Sequence, residues 1–456
     1  MKFSKILKKN FCNDSRYLKK DDIFFDFISN KKKNSPYLDV VTEKGPYLIV
    51  TQKKINYNKI LVVKDIKKFY FSLVNKKFKT IPKNLYAVTG TNGKTSVAGF
   101  FHQINILNNL PCANIGTLGC YYNKKFKQNS LTTPDNLDIL KFLDFVKKKK
   151  INTAIIEASS HGLYQGRLRG LNFKGAVFTN FSRDHLDYHK SMKSYLNAKL
   201  ILFKKNLNKN SDIICENEIA KLIKNNIKKK LNLLLKSKNK NYIRILGLKP
   251  HGSKTILKIN YKNKIYSISL NLIGSFQIRN LFHAITLSIS SGIDANRILK
   301  VLPRIKPIKG RLNIFKNKKK IVCLDYAHTP DGLKKVITTL KNHFKKKVNI
   351  VFGCGGNRDK GKRREMGEIV NKLCKKIIVT DDNPRDENPK QITKQIFKYI
   401  DKGKIINNRR LAIKKGIRDM KQNEVLLVAG KGHENYQIVN GKYIHFSDSE
   451  EITKNL

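Results

Sequence analysis

One ten-residue segment decides the fold of this chain: Ala87-Val88-Thr89-Gly90-Thr91-Asn92-Gly93-Lys94-Thr95-Ser96. An apolar run typical of a β-strand, Leu85–Thr89, leads into it, and a helical pattern follows. Small residues between a strand and a helix let backbone N–H groups turn toward phosphate oxygens, and the helix N-terminus adds a favourable potential. The segment therefore predicts a phosphate loop, in which Lys94 neutralises β- and γ-phosphate oxygens and Thr95 holds Mg²⁺.

The loop departs from the general GxxxxGK[ST] pattern at one position. Val88 stands where that pattern has its first glycine, and the glycine nearby is Gly90. An ordinary glycine turn between a strand and a helix is the alternative interpretation. The Lys-Thr pair at the helix start, together with the flanking strand and helix, favours the phosphate loop.

Apolar runs alternate with helical stretches along most of the chain, which predicts parallel sheets with crossover helices. A linker at Pro303–Arg311 divides two series of strand-like runs. The first series comprises Leu85–Thr89, Ala154–Glu157, Ala176–Thr179 and Asp212–Cys215, followed by a hairpin centred on Lys262-Asn263. The second series comprises Lys320–Tyr326, Val348–Phe352, Ile377–Thr380 and Val425–Ala429, and it predicts a second doubly wound domain. The region before residue 85 reads as a small α/β unit.

The chain has 456 residues and is strongly basic, with 94 Lys and Arg against 33 Asp and Glu and a net charge of +61. Such a surplus suggests binding to nucleic acid or a membrane surface. The lysines are scattered through every segment together with Asn and Ile, which indicates compositional drift, although the remaining field would attract anions. Seven single cysteines suit reduced thiols. Because no stretch approaches 18 apolar residues and the N-terminus lacks a signal-peptide core, a cytoplasmic protein is predicted.

The loop sequence Thr-Gly-Thr-Asn-Gly-Lys-Thr resembles that of the Mur ligases, ATP-dependent amide-forming enzymes of peptidoglycan precursor synthesis. Folylpolyglutamate and cyanophycin synthetases carry related loops. The resemblance implies a three-domain α/β architecture with a central P-loop ATPase-like parallel sheet and a C-terminal Rossmann-like domain. The resemblance implies that residues 1–84 form the domain that binds the UDP substrate. Residues 85–308 would form the central ATP-binding domain, and residues 309–456 the domain that binds the amino acid. In the first of these only Asp14–Arg16 matches the family, and Phe24–Phe27 replaces the usual small residues.

Three further segments extend the resemblance: Leu131–Asp135, Glu157–Leu163 and Thr179–His189. They follow strand-like runs, at the edge where α/β sheets bind ligands. A carboxylate beside a nucleotide loop can complete a magnesium shell, which makes Glu157 a candidate ligand and His185 a second one. A lone Glu or His at a strand end is more often a structural residue, but the clustering of these segments favours binding.

The resemblance also assigns roles that the residues alone do not indicate. In Mur ligases the lysine of an Ala-Lys-x-x-Leu-Phe segment is carbamylated by carbon dioxide, and Lys199, in the predicted amphipathic helix Tyr195–Phe203, occupies that position. The implied catalytic residues are Lys94, Lys199 and His185, and the implied metal ligands are Thr95, Glu157, carbamylated Lys199 and His185. The implied ATP contacts are Gly90, Thr91, Asn92, Gly93, Lys94, Thr95, Asn280 and Arg311. The implied UDP-muropeptide contacts are Ser15, Thr132, Thr133, Ser159, Gln165 and Arg167.

Three C-terminal segments resemble those of the diaminopimelate-adding Mur ligases: Gly353–Arg363, Asp381–Arg385 and Gly430–Gln437. Diaminopimelate has a distal carboxylate that lysine lacks, and a guanidinium such as that of Arg385 binds a carboxylate through two parallel hydrogen bonds. In lysine-adding relatives the arginine of Asp-Asn-Pro-Arg is replaced. The predicted amino-acid contacts are Arg358, Asp382, Asn383, Pro384, Arg385, Gly430 and Glu434.

These features predict an ATP-dependent ligase that joins meso-2,6-diaminopimelate to UDP-N-acetylmuramoyl-L-alanyl-D-glutamate through an acyl phosphate. The expected cofactors are ATP, Mg²⁺ and CO₂ as the Lys199 carbamate, and the expected protein is a monomer without a nucleic-acid or membrane partner. A lysine-adding or polyglutamate-forming amide ligase is the enzymatic alternative. A basic nucleic-acid-binding P-loop protein is the alternative from another class, but the sequence shows no basic stripe interleaved with aromatic residues.

Overall fold

The computed structural model describes residues 3–28, 35–123, 125–127, 131–227, 232–234, 243–317 and 320–456. The chain forms two compact units. The first comprises Met1–Lys83, Pro134–Asn152 and Gly166–Leu171, and the second comprises Asn84–Thr133, Thr153–Gln165 and Asn172–Leu456. The three-domain boundaries at residues 84 and 308 stay a prediction. The Lys- and Asn-rich stretch 221–241, to which the sequence assigns no chemistry, lies partly outside the described residues.

The first unit is a small parallel sheet with short helices. Its strands lie in the order Phe11–Cys12, Ile23–Phe25, Leu48–Thr51 and Ile60–Val62. Its helices are Phe3–Lys8, Leu38–Glu43, Ile66–Lys77 and Asn136–Lys148, with a 3₁₀ turn at Ser15–Tyr17. Phe25, from the segment that departs from the Mur ligase pattern, is fully buried and packs edge-to-face against Phe11 and Tyr70, with ring centroids 5.4 and 4.9 Å away. The aromatic segment thus forms the core of this unit, and the predicted small α/β unit is confirmed.

A large sheet in the second unit carries the phosphate loop. Its strand order is Asn232–Leu234, Leu207–Cys215, Phe173–Phe178, Asn84–Thr89, Thr153–Glu157, Cys112–Gly116, Gly119–Tyr122 and Lys125–Lys127. The strands as far as Cys112–Gly116 are parallel, and the last two are antiparallel to their neighbours. The loop strand lies between Phe173–Phe178 and Thr153–Glu157, so the carboxyl ends of all three meet beside the loop.

Helices and a hairpin surround this sheet. The helices are Lys94–Leu107, Ser160–Tyr164, Leu186–His189, Met192–Ile201, Asn217–Asn226, Ser275–Ser290 and Ala295–Val301, with a π-helical turn at Leu202–Asn206 and a 3₁₀ turn at Leu302–Arg304. The predicted hairpin joins Lys254–Tyr261 to Lys264–Leu270, and Arg244–His251 pairs with the former. Lys262 and Asn263 have φ angles of +49° and +62°, as a two-residue hairpin turn of type I′ requires. The hairpin prediction is therefore confirmed.

A second doubly wound sheet follows the linker, as the sequence predicts. Its strand order is Asn313–Asn317, Lys320–Asp325, Glu424–Ala429, Lys347–Phe352, Ile377–Val379 and Lys404–Ile405. The first strand is antiparallel to its neighbour and the others are parallel. Its helices are Pro330–Phe344, Gly361–Leu373, Pro389–Phe397, Arg409–Arg418 and Asp448–Asn455, and a hairpin pairs Tyr436–Val439 with Lys442–His445. The central strand Glu424–Ala429 is buried along its whole length, which explains its continuous apolar sequence.

Within the described ranges, no helix is both long enough and apolar enough to cross a membrane.

Candidate active site

The phosphate loop follows the strand Asn84–Thr89, and two of its glycines adopt backbone angles that side chains disfavour. Gly90 has a φ of +141° and Gly93 a φ of +88°. A Cβ atom on Gly90 would lie 1.9 Å from Thr179 Oγ1, and one on Gly93 would lie 2.6 Å from Asn280 Oδ1. Both positions therefore require glycine. Asn280, the predicted adenine contact, lies directly against the loop.

Two lysines converge on the carbonyl group of Gly90. Lys94 Nζ donates to Gly90 O and to Thr91 O, both at 2.9 Å, and Lys199 Nζ donates to Gly90 O at 2.8 Å. Burial lowers the pKa of both side chains. The pKa of Lys199 lies well below its ordinary value, because the charge of Lys94 adds to the effect of burial. The structure thus places two buried amines with lowered pKa values beside the loop.

The helix that carries Lys199 is Met192–Ile201, which confirms the predicted helix, and the chain continues as the π-helical turn Leu202–Asn206. Lys199 lies among the buried apolar residues of this helix. Its side chain is 1% exposed, and its Nζ lies 4.3 Å from the centroid of the Tyr195 ring. Tyr195 in turn donates its hydroxyl to Thr91 Oγ1 at 3.2 Å. Lys199 and Tyr195 therefore face the loop, while Lys193, Ser194 and Asn197 of the same helix are exposed.

Glu157 is the carboxylate beside the loop. Its Oε2 accepts hydrogen bonds from the hydroxyls of Thr95, at 2.9 Å, and Thr117, at 3.1 Å. Its Oε1 accepts the N–H of Thr117 at 2.9 Å. Burial raises the pKa of Glu157, and the Thr117 N–H and the nearby Lys94 oppose that rise. Thr95 and Glu157 therefore place two hard oxygen donors together, as the sequence predicts.

The predicted metal ligands do not form a closed cage. Among the side chains that the structure describes, no group of three His, Cys, Asp or Glu residues is arranged to hold a metal ion. Mg²⁺ usually keeps several waters and takes one or two carboxylates together with substrate phosphates. The Thr95–Glu157 pair fits that mode of binding.

His185, the other predicted ligand, is held by its neighbour Asp184. The backbone N–H of His185 donates to Asp184 Oδ1 at 2.9 Å, and its Nε2 lies 3.3 Å from Oδ2. Burial lowers the pKa of His185 to about 3, against the opposing charge of Asp184. Burial acts to raise the pKa of Asp184, but surrounding basic groups, including Lys94 and Lys362, lower it to about 2. The pair at pH 7 is therefore a neutral imidazole beside a carboxylate.

The segment after the linker reaches back to the phosphate loop. Arg311 Nη2 donates to Thr95 Oγ1 at 3.2 Å, and the guanidinium lies 4.3 Å from the centroid of the Tyr326 ring. Asp325 Oδ2 accepts the N–H of Leu312 at 2.8 Å, which fixes the backbone next to Arg311. The predicted nucleotide contact Arg311 is thus within hydrogen-bonding distance of the loop.

The three segments assigned to the amino acid converge on one sheet edge. They follow the neighbouring parallel strands Glu424–Ala429, Lys347–Phe352 and Ile377–Val379. A Cβ atom on Gly430 would lie 2.5 Å from Asp382 Oδ2, and one on Gly356 would lie 1.9 Å from Pro384 O. Segments far apart in the sequence therefore pack together at the carboxyl edge, where sheets of this class bind ligands.

Asn383 and Glu434 contact each other at this edge, and Lys431 contacts both. Asn383 Nδ2 donates to Glu434 Oε2 at 2.9 Å. Lys431 Nζ donates to Asn383 Oδ1 and to Glu434 Oε2, both at 2.9 Å. Tyr326 OH donates to Glu434 Oε1 at 3.4 Å. Two of the predicted amino-acid contacts therefore belong to one hydrogen-bonded cluster.

Arg385 contacts two backbone carbonyls through one nitrogen of its guanidinium. Its Nη1 donates to Gly356 O at 2.7 Å and to Asn383 O at 3.4 Å. Since Nη1 carries two hydrogens, these bonds leave the Nε and Nη2 hydrogens, which form an edge that suits a carboxylate. Arg358, the other predicted carboxylate contact, is exposed.

The predicted UDP-muropeptide contacts belong to both units. In the first unit, Ser15 begins the turn Ser15–Tyr17 and is half-buried, and Arg167 Nε lies 3.3 Å from Asp135 Oδ1. The remaining four predicted contacts, Thr132, Thr133, Ser159 and Gln165, belong to the second unit.

Those four residues are held by hydrogen bonds within the second unit. Thr133 is fully buried, and its hydroxyl lies 2.6 Å from Glu157 O and 2.8 Å from Ser159 Oγ. Thr132 Oγ1 lies 3.0 Å from Thr117 Oγ1, and Gln165 Nε2 donates to Tyr188 OH at 2.9 Å. Thr133 therefore orients Ser159, and its own hydroxyl is turned into the protein.

Sequence reasoning missed several side chains that build the site. Thr117 and Lys431 are two of them. A third is Arg409, which pairs with Asp448 through two hydrogen bonds of 2.7 Å. Arg409 also donates to Ala429 O at 2.9 Å and to Asp381 O at 3.2 Å, and so ties together the starts of two amino-acid segments. Lys431 could have been found from its place between two glycines of an assigned segment, whereas nothing marks Arg409 among 94 basic residues.

Comparison with known families agrees with this geometry. The Mur ligase middle domain matches residues 88–288, and the glutamate ligase domain of Mur ligases matches residues 310–432. Curated relatives named UDP-N-acetylmuramoyl-L-alanyl-D-glutamate–2,6-diaminopimelate ligase include one from Rickettsia bellii, 39% identical over 98% of this chain and 96% of the relative. One from Rickettsia montanensis is 37% identical over 98% of this chain and 95% of the relative.

Solved structures give the same fold. A structure of a UDP-N-acetylmuramoyl-L-alanyl-D-glutamate–2,6-diaminopimelate ligase has a TM-score of 0.65 and 29% identity, covering 98% of this chain and 94% of that one. A Thermotoga maritima MurF ligase in complex with ADP has a TM-score of 0.68 at 17% identity, covering 95% of this chain and 96% of that one. The second similarity shows the fold alone.

Proposed function

This chain belongs to the Mur ligase family, and from that premise we propose that it joins meso-2,6-diaminopimelate to UDP-N-acetylmuramoyl-L-alanyl-D-glutamate. The D-glutamyl carboxylate takes the γ-phosphoryl group of ATP and becomes an acyl phosphate, while ADP leaves. The amine of diaminopimelate attacks the acyl carbon, and phosphate leaves. Direct condensation would require hydroxide to leave a carboxylate, whereas the acyl phosphate releases phosphate, which is the better leaving group.

The observation that carries the substrate assignment is the pair of opposite charges at the edge of the C-terminal sheet. Arg385 presents the Nε–Nη2 edge of its guanidinium, and Glu434 presents a carboxylate in the neighbouring segment. The distal end of diaminopimelate bears both a carboxylate and an ammonium group. L-Lysine bears the ammonium alone, so it leaves the charge of Arg385 without a partner.

The phosphate loop supports the role of ATP. Phosphoryl transfer needs positioning and charge neutralisation more than covalent help from the protein. In this proposal the loop N–H groups and Lys94 bind the phosphates, Arg311 contacts the nucleotide from the other side of Thr95, and Asn280 lies on the adenine side of Gly93.

We further propose that Thr95 and Glu157 hold Mg²⁺ and that Lys199 is carbamylated. When bound, Mg²⁺ neutralises charge on the transferring phosphoryl group. Only a neutral amine adds to CO₂, forming a carbamate anion and releasing a proton, and the lowered pKa of the buried Lys199 increases the fraction of neutral amine. His185 is the further metal ligand in this proposal. The cytoplasmic location and the monomeric state stay predictions.

A phosphate-release assay tests the function. Purified protein is incubated with ATP, Mg²⁺ and UDP-N-acetylmuramoyl-L-alanyl-D-glutamate, and with meso-diaminopimelate, L-lysine or no amino acid. We expect release that depends on diaminopimelate, with the tripeptide product detected by its mass. Release with lysine but not with diaminopimelate would overturn the substrate, and release with neither would overturn the function.

A further inference from the structure

Lys431 stands between the two side chains that recognise the amino acid in the proposed function, and the following inference rests on that function. We infer that Lys431 is a positioning residue. Its ammonium group holds Glu434 and Asn383 in the orientation in which Glu434 accepts the ammonium group of the substrate. Lys431 itself touches no substrate atom.

The surroundings of the ammonium group provide acceptors for two of its three hydrogens and an aromatic ring near the charge. Lys431 is 0% exposed, so water does not solvate its charge. Two hydrogens go to Asn383 Oδ1 and Glu434 Oε2 at 2.9 Å, and the Tyr436 ring centroid lies 5.6 Å from Nζ. A buried charge is tolerated when it is paired and hydrogen-bonded. This ammonium group therefore has little capacity left to bind a ligand.

The backbone around Lys431 is built to turn the side chain inward. Gly430 and Gly432, on either side of it, have φ angles of +113° and +54°. A Cβ atom on Gly432 would lie 2.7 Å from Tyr326 Cβ, and one on Gly430 would lie 2.5 Å from Asp382 Oδ2. Gly430 and Gly432 therefore pack closely against Asp382 and Tyr326, respectively.

The two carboxylate oxygens of Glu434 make different hydrogen bonds. Oε2 accepts from both Lys431 and Asn383, whereas Oε1 has the long 3.4 Å bond from the Tyr326 hydroxyl. A carboxylate oxygen accepts about two hydrogen bonds, so Oε1 retains room for a substrate ammonium group. Without Lys431, Asn383 alone would hold Oε2, and the carboxylate would lose its fixed orientation.

The test is the kinetics of Lys431→Met. We expect the KM for diaminopimelate to rise at least tenfold, with kcat within threefold and the KM values for ATP and the UDP-dipeptide within twofold of wild type. Lys431→Gln, whose amide still donates one hydrogen bond, should raise the KM less, and it serves if the methionine variant does not fold. The matched control is Lys375→Met. Lys375 donates to buried Glu424 at 2.8 Å, at the opposite edge of the same sheet, and its loss should leave all three KM values unchanged.

A double-mutant cycle tests whether Lys431 acts through Glu434. In the Glu434→Gln background, Lys431→Met should raise the KM for diaminopimelate less than threefold further. Three outcomes would overturn the positioning role. Lys431→Met could raise the KM for diaminopimelate equally in the wild-type and Glu434→Gln backgrounds, it could leave that KM unchanged, or it could lower kcat without changing KM. If the wild-type protein releases phosphate with none of the amino acids, the proposed function fails and the inference fails with it.

Discussion

Replacing Arg385 with lysine tests the bidentate contact on which the choice of amino acid depends. The two Nη1 bonds of Arg385 to backbone carbonyls leave the Nε–Nη2 edge for the distal carboxylate. A lysine keeps the positive charge and can make a single hydrogen bond, but it cannot make two parallel ones. One hydrogen bond to a charged group contributes about 1.5–3 kcal/mol. At about 1.4 kcal/mol for each factor of ten, kcat/KM for diaminopimelate should fall about 10- to 150-fold.

The assay measures phosphate release at saturating ATP and UDP-dipeptide while diaminopimelate is varied, and a parallel series uses L-lysine. Any turnover of L-lysine should stay the same in Arg385→Lys, because lysine has no carboxylate at that end. The matched control is Arg364→Lys in the same domain. Arg364 is exposed and pairs with Glu368 at 2.8 Å along one helix, so its replacement should not change either series.

Two outcomes would refute this reasoning. If Arg385→Lys keeps kcat/KM for diaminopimelate within threefold of wild type, the contact is not bidentate or Arg385 does not bind the substrate. If Arg364→Lys loses as much activity as Arg385→Lys, the loss is a general effect of replacing an arginine in this domain and not the loss of a specific contact.

Two further predictions concern stability. Burial lowers the pKa to about 3 or 4 for the following described histidines: His102, His185, His283, His328 and His433. The unfolded chain binds protons below pH 6.5 and the folded chain does not, so the free energy of unfolding should fall by about 1 kcal/mol per pH unit per histidine between pH 6.5 and 4. His102→Phe keeps the packing on Tyr121. In urea titrations, its free energy of unfolding should fall less steeply with decreasing pH than that of wild type, and an unchanged slope would contradict this prediction. Arg409→Met should cost about 3–5 kcal/mol, because it leaves the buried Asp448 without its partner. The double variant Arg409→Met/Asp448→Leu should recover part of that loss in the same titrations. If the stability losses of the two single variants simply add in the double variant, the two side chains do not stabilise each other.

The phosphate loop was predictable because its chemistry is local. Gly90 and Gly93 stand between a strand and a helix, and both have the positive φ angles that the pattern indicates. Thr117 was not predictable in this way. It contacts Glu157, forty residues away, because Cys112–Gly116 pairs with Thr153–Glu157 in a register that no sequence pattern reveals. A Cβ atom on Gly116 would lie 2.1 Å from Glu157 Oε1, so the contact also depends on that glycine.

At the edge of the C-terminal sheet, too, local segments were predictable and the contacts between them were not. Each of its three segments was identified by its own sequence, and parallel strands bring such segments together. What the sequence could not give was which polar groups face each other across the edge. The cluster Asn383–Lys431–Glu434 depends on side-chain directions in loops, and loop conformation is set by packing against the rest of the fold. The pair Arg409–Asp448 joins the first residues of two helices, and it depends on how those helices pack.

Net charge is a poor guide to the cations that matter in this chain, and burial is a better one. The surplus of +61 comes mainly from scattered lysines, which attract polyanions without selecting among them. At physiological ionic strength the field of an exposed charge is screened within about 8 Å. Two buried cations lie at the edge predicted to bind the amino acid: Lys431, between Asn383 and Glu434, and Arg409 beneath them are each at most 2% exposed. Each of them makes hydrogen bonds to groups that the chemistry requires in one place. We therefore expect selectivity to depend on a few specific contacts, which a mutation can remove without altering the electrostatic character of the whole surface.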